Sequence, residues 1–289
     1  MTLRETLGRI VAQEDLNFLL TNRLPRRMAT TLVGRLSRIE QPLVARATIA
    51  TWRYFSDVDL SDAAEDRFRS MHHCFTRALR PGSRPPDPDP AIIASPSDAI
   101  VGACGPIDGD TVLQVKGSPY RIGELVGDAD VAAPFRDGRY VTLRLTAGMY
   151  HRFHAPHDAR VDWVRYLSGD TWNVNPIALR RVERLFCRNE RAVLRLTLTD
   201  GQWPLLLVPV AAILVAGIRL HFLDTERLLR AGGPRTVPCA ATVVKGEEMG
   251  WFEHGSTILI FAPPGFTLAP GIAEGSRIRA GQALLRMPD

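Results

Sequence analysis

Lys245-Gly246-Glu247-Glu248-Met249-Gly250-Trp251-Phe252-Glu253-His254-Gly255-Ser256-Thr257-Ile258-Leu259-Ile260-Phe261 sets a glycine, a serine and a threonine at the mouth of an apolar, β-branched run. The residues after Ser256 read as a buried strand, and Gly255 can take backbone angles that other residues avoid. A hydroxyl placed there is part of a tight turn that opens a strand, or it is a nucleophile. As a nucleophile it is aimed at a substrate or at the carbonyl that precedes it. The tripeptide alone leaves the turn as the simpler account.

Outward from that stretch the text is short apolar runs broken by Gly, Pro, Asp and Asn. Val141-Thr142-Leu143-Arg144-Leu145 and Val193-Leu194-Arg195-Leu196-Thr197-Leu198 alternate at period two, which predicts half-buried strands. Pro204 to Ile218 is nearly all apolar but shorter than the ~20 residues of a membrane helix, and Pro204 and Pro209 interrupt it. Buried paired strands are expected there. Gly275 to Leu285 has the form strand, Gly turn, strand, like a lipoyl or biotinyl hairpin, as does Gly246 to Gly250. Neither lysine sits in such a turn, so the likeness is architectural and does not imply a carrier.

Before this β-rich part, Asp15 can cap a short helix through Leu20. After Pro25, Met28, Leu32, Leu36 and Ile39 fall at helical spacing, with Arg26, Arg27, Arg35 and Arg38 on other faces. A basic amphipathic helix lies on an anionic membrane, or packs on its own domain or a homodimer partner; the pattern leaves these open. A further helix is expected from Asp62 and Glu65, carrying Phe68, Met71, Phe75 and Leu79 and ending before Pro81. The prolines from Pro81 to Pro90 mark a boundary. The predicted fold class is therefore α+β: helices over 1–80, a Pro-rich linker over 81–90, and a mostly antiparallel β core with barrel-sandwich or lipoyl-like hairpins over 91–289.

With 289 residues, 45% of them hydrophobic and 23% charged, the chain can bury a full core. Its net charge of +5 favours an anionic partner: a phosphate, an acidic membrane or a nucleic acid. The positive charge is almost all arginine, Lys116 and Lys245 being the lysines. Cys74, Cys104, Cys187 and Cys239 are scattered without metal-ligand spacing, which suits reduced thiols. Met1 to Ile10 carries charges where a secretory signal needs an apolar core.

Two more stretches carry chemistry. Gly148 to Asp158 holds His151, His154 and His157. Positions three apart on a strand face opposite sides, so His151 and His154 are poor partners for one metal ion, and no metal is expected. Two rings facing apart can serve two separate steps. In Ser95-Pro96-Ser97-Asp98 the aspartate reads as a turn residue; set against His154, it would fix the imidazole tautomer. Asp98, His154 and Ser256 would then form a triad in the general sense.

Gly246 to Thr257 resembles the processing site of the phosphatidylserine decarboxylase proenzymes. Ser95 to Asp98 resembles that family's Ser-Pro-Ala-Asp-Gly segment, and Tyr150 to Pro156 its Tyr-His-Arg-x-His-x-Pro segment. Gly169-Asp170, Asn173 to Pro176 and Leu185 to Arg191 resemble intervening segments, so the likeness runs in order from about Ile93 to Leu285. Met149 stands where many members have Asp, Ala99 where Gly is usual, and His254 where an apolar residue is usual.

The resemblance implies a self-processing enzyme. Ser256, activated by His154 and Asp98, attacks the Gly255 carbonyl; the chain is cut between 255 and 256, and Ser256 becomes a pyruvoyl group. That covalent cofactor decarboxylates phosphatidylserine to phosphatidylethanolamine through a Schiff base, with His151 reprotonating the carbon. It further implies association with its own small chain 256–289, an anionic membrane surface as partner and no nucleic acid. The expected place is the cytoplasmic face of a bacterial-type inner membrane. Three alternatives accompany it: the same chemistry on a free aromatic amino acid, an uncleaved serine hydrolase, and a lipid-binding module. Ser256 lacks the Gly-x-Ser-x-Gly elbow of the hydrolases.

Overall fold

The computed structural model describes residue 14 and residues 26–212, 217–232, 234–253 and 256–288. The helix expected at Asp15 to Leu20 lies outside the described residues, as do His254 and Gly255. Helix α1 spans Arg26–Ser37 and α2 spans Pro42–Phe55. Gln41 caps α2 by accepting the Val44 N–H at 2.7 Å, and Pro42 occupies a first-turn position where no N–H is needed.

The helix expected from Asp62 to Leu79 is cut to one turn, α3, Met71–Phe75. Ser70 Oγ accepts the His73 N–H and starts it late. On either side the main chain pairs with itself instead: Ala64 N–H donates to Ala78 O and Arg80 N–H to Asp62 O, around a bridge between Ala63 and Leu79. Trp52, Cys74 and Phe75 form a small core with Ile49, Phe68 and Met71, which holds α2 and α3 together. The 81–90 stretch, without helix or strand, lies along the β part, where Asp87 N–H donates to Gly281 O.

The strands are β1 (Ile92–Ala94), β2 (Ala99–Pro106), β3 (Thr111–Val115), β4 (Ser118–Arg121), β5 (Arg139–Leu145), β6 (Arg152–His154), β7 (Ala159–Leu167) and β8 (Arg191–Leu198). There follow β9 (Pro204–Ala211), β10 (Ile218–Leu220), β11 (Arg235–Val243), β12 (Glu248–Phe252), β13 (Ser256–Ala262), β14 (Thr267–Leu268), β15 (Arg277–Ile278) and β16 (Ala283–Arg286). An eight-stranded sheet runs β11-β7-β8-β9-β13-β5-β2-β15, every pair antiparallel. The fold is α+β with a mostly antiparallel core and, among the described residues, no closed barrel.

Both faces of this sheet are covered, which corrects the half-buried reading of β5 and β8. Leu143, Leu196, Leu207, Ile258 and Ile260 pack on one face; Tyr140, Val193, Leu206, Leu259 and Phe261 pack on the other. All seven residues of β13 are buried in consequence. Each large apolar side chain there contributes about 1.5–3 kcal/mol. Leu205 to Ala212 are buried as expected, but β9 pairs with β8 and β13 while β10 pairs with β12. Likewise β15 and β16 do not form a hairpin with each other: β15 pairs with β2, and β16 with β1 and β14.

Candidate active site

Ser256 opens β13 at the middle of the sheet, opposite Leu145 on β5 and Ala211 on β9. With neighbours on both sides its main chain is fixed. Its hydroxyl is fully buried and makes no hydrogen bond among the described residues. Leaving a buried hydroxyl unpaired costs about 1–3 kcal/mol, which a purely structural turn has no reason to bear. Ser256 faces a cavity of about 370 Å³. Val33 of α1, Trp52 of α2, and Met71 and Phe75 of α3 form one wall; Leu145 to Ala147 and Asn173 to Asn175 form the others. The N-terminal helices thus complete a pocket whose floor is the β sheet.

His151 is buried, its ring 3.9 Å from that of Phe75, so one phenyl group lies against His151 and also lines the Ser256 cavity. His151 Nδ1 donates to the Met149 carbonyl at 2.8 Å. His154 ends β6 and turns elsewhere: its Nδ1 donates to the Gly246 carbonyl at 2.9 Å, and its Nε2 accepts from the Tyr150 hydroxyl at 3.0 Å. Burial pushes the His154 pKa below the ordinary value, against the Gly246 bond and the charges of Glu248 and Asp98, which favour the protonated ring. The ring is therefore held neutral.

Asp98 does not meet His154 as the triad reading supposed. Its carboxylate accepts from Arg84 Nε and Nη2 at 2.8 and 2.7 Å and from the Ala280 N–H at 2.9 Å. A guanidinium fork that matches both carboxylate oxygens leaves little for an imidazole. Arg84 also reaches Asp62 at 2.9 Å. The tautomer of His154 is set by Gly246, and no hydrogen bond joins Asp98, His154 and Ser256 among the described residues. Asp98 and Tyr150 line a second cavity, of about 380 Å³, with Asp59, Arg77 and Arg279. His157 bonds the Pro90 carbonyl, so the three histidines of the cluster go to separate partners. Met149 folds back until its sulfur accepts the Thr146 N–H at 3.4 Å.

The description phosphatidylserine decarboxylase belongs to the family profile that matches residues 71–286. The chain belongs to the phosphatidylserine decarboxylase family. The phosphatidylserine decarboxylase proenzyme of Xanthomonas axonopodis pv. citri (strain 306) is 36% identical over 275 residues, covering 92% of this chain and 97% of the relative. That of Xylella fastidiosa (strain M23) is 35% identical over 274 residues, covering 92% of each.

Phosphatidylserine decarboxylases are generally pyruvoyl-dependent. Residue 256 fits such a group: its main chain is paired on both sides, and its side chain has no hydrogen bond among the described residues and faces a cavity. The family's intervening segments gain a role as scaffolding. Asn189 accepts the Trp172 N–H and donates to the carbonyls of Trp172 and Ala211, tying the Asn173 to Asn175 wall to the residue opposite Ser256. Gly169 passes so close that an added Cβ would lie 2.5 Å from the Arg188 carbonyl.

Three contacts escaped the sequence reading. Tyr150 lies four residues before His154, inside a quoted motif, yet drew no role. Arg84 sits among prolines with no periodicity to show where it points. Glu253, buried three residues before Ser256, is held by Arg38 at 2.5 Å and Arg219 at 3.0 Å, and its N–H donates to the Gly217 carbonyl. Gly217 has φ +142°, and a Cβ there would press on the Glu253 side chain at 3.2 Å. Glu253 is thus anchored to the residue that follows α1 and to β10.

Proposed function

We propose that this chain is a self-processing, pyruvoyl-dependent carboxy-lyase that converts phosphatidylserine to phosphatidylethanolamine and carbon dioxide at a membrane surface. The observation that carries this is Ser256: a buried hydroxyl after a glycine, without a hydrogen bond among the described residues, at the head of a central strand and open to a largely apolar cavity.

In processing, Ser256 Oγ adds to the Gly255 carbonyl, and the peptide nitrogen leaves that carbon while staying on residue 256. The ester is then broken by elimination: a base takes the α-proton of residue 256 and the Gly255 carboxylate departs. Water replaces the enamine nitrogen, which is released as ammonia. His154 is the base in this reading, since burial keeps it neutral, and Tyr150 holds its Nε2 until it is needed. Asp98 supports the protonated ring through its charge, and Arg84 holds that carboxylate in place with its guanidinium fork.

The pyruvoyl ketone supplies the electron sink for the pair left when carbon dioxide departs. His151, buried beside the cavity, returns a proton to that carbon. The apolar walls from α1 to α3 exclude water and favour loss of a charged carboxylate as a neutral gas.

Exposed Leu32, Leu36, Ile39, Leu43, Tyr54 and Phe55 on and beside α1 and α2, with exposed Arg35, Arg46 and Arg53, support a peripheral membrane site on an anionic, cytoplasmic face. No helix among the described residues is long and apolar enough to cross a membrane. The test is an intact mass spectrum under denaturing conditions. The expected result is two chains dividing at Gly255/Ser256, the smaller lighter by one ammonia than a serine start. A single stable chain of 289 residues would remove the reading.

A further inference from the structure

Arg144 lies on the face of β5 that alternation assigned to solvent, yet that face is covered and the guanidinium is half-buried. It forms no hydrogen bond or ion pair among the described residues. Burial alone accounts for the lowering of its pKa, with no neighbouring carboxylate raising it. It lines the Ser256 cavity, and among the described residues lining that cavity it is the one that carries a charge at neutral pH. An adjoining space of about 150 Å³ shares Arg144 and contains Glu274, which makes no ion pair with it, and Thr257, whose hydroxyl is also buried and unbonded among the described residues. A desolvated cation without a counter-ion is costly unless an anion arrives to meet it.

We propose that Arg144 is the anion-recognition residue of this cavity and takes the phosphodiester of an amphiphilic substrate. This rests on the reading of Ser256 as the reactive position. The substrate of that reading carries a carboxylate as well as a phosphate, and chemistry decides between them. A guanidinium clamped on the departing carboxylate would stabilise the ground state and oppose its loss, since only interactions stronger in the transition state speed the step. A phosphate keeps its charge throughout, so Arg144 can hold it without that penalty, and the planar fork suits it.

Trp52 lines the same cavity and reports on binding without any turnover. Dihexanoyl phosphatidylserine, below its micelle threshold, is titrated into the uncleaved Ser256→Ala protein, with Ser256→Ala/Trp52→Phe as the fluorescence blank. Adding Arg144→Gln is expected to weaken binding at least about tenfold, the usual loss for a hydrogen bond to a charged group. Dihexanoylglycerol, which lacks the phosphate, is expected to bind both forms alike. Equal binding of the phospholipid to both forms would overturn the proposal. So would displacement of the lipid by inorganic phosphate at equal concentration, which would make this a free-phosphate site.

Where Arg144→Gln does not fold, a salt series on the Ser256→Ala protein replaces it: phospholipid affinity falls with ionic strength and diacylglycerol affinity does not. Salt-independent phospholipid binding would overturn the proposal as well. In the processed enzyme, Arg144→Gln raises KM at least about tenfold with kcat nearly kept. A wild-type protein that never cleaves would instead defeat the reading of Ser256, so the two failures are distinguishable.

Discussion

The two cavities flanking the turn from Leu145 to Tyr150 are nearly equal in size, about 370 and 380 Å³, and opposite in character. One is lined by Trp52, Met71, Phe75 and Ser256, with Arg144 as its charge. The other is lined by Asp59, Asp98, Arg77, Arg84 and Arg279. His151 lies against the wall of the first, while His154 reaches the second through Tyr150. The contrast teaches that one short histidine motif borders two cavities of different lining. In the proposed reading, the charged side steadies the protonated base, and the apolar side hosts a reaction that water would spoil.

The largest effect that tests this division is at its hinge. Ser256→Ala is expected to abolish both cleavage and activity, leaving one chain by mass spectrometry; a normal cut would remove the mechanism. Next, the histidines should separate. His154→Ala should fail to cleave, whereas His151→Ala should cleave normally and lose about 10²–10⁴-fold in kcat. Failure of both to cleave would merge the two sides into one machine.

A smaller effect sharpens the dry side alone. Asn189→Ala removes three bonds to buried main chain behind the Asn173 to Asn175 wall. It should cost about 1–3 kcal/mol in denaturant unfolding and raise KM, with cleavage retained. The pH profile probes the other side. His154 is depressed below 6.5, so the neutral base persists on the alkaline side of 6.5 and cleavage should slow only as the pH drops below it. Because the unfolded chain binds that proton more readily, stability also falls with pH below 6.5 and is untouched above it. A cleavage midpoint above 6.5 would contradict the burial argument. Smallest of all, Leu36→Glu touches neither cavity and should leave cleavage and short-chain turnover unchanged while reducing flotation with anionic liposomes.

Much of the architecture was legible because apolar patterning is local. The strand after Ser256 and the strands β5 and β8 stand where the text places them. Solvent exposure of a face is not local. Val141 to Leu145 alternates like a surface strand, and only the packing of a second layer turns Arg144 into an interior charge. The partnering of Asp98 failed for a related reason: a carboxylate goes to the best donor in three dimensions, and Arg84 came from a stretch with no periodicity. The motif order pointed to Ser256, but nothing in it showed that α1 to α3 would roof the cavity.

The central position of β13 has a consequence for the history of each molecule. A cut before Ser256 would leave residues 256–289 as a separate polypeptide that nevertheless supplies the innermost strand of the sheet. Its seven buried β13 residues, paired with β5 and β9, and the pairings of β15 with β2 and β16 with β1 would hold it without any covalent link. Such a molecule folds once as a single chain and afterwards can reassemble only by a bimolecular encounter. Recovery from denaturation would then depend on concentration, as for two subunits, although one gene product made both.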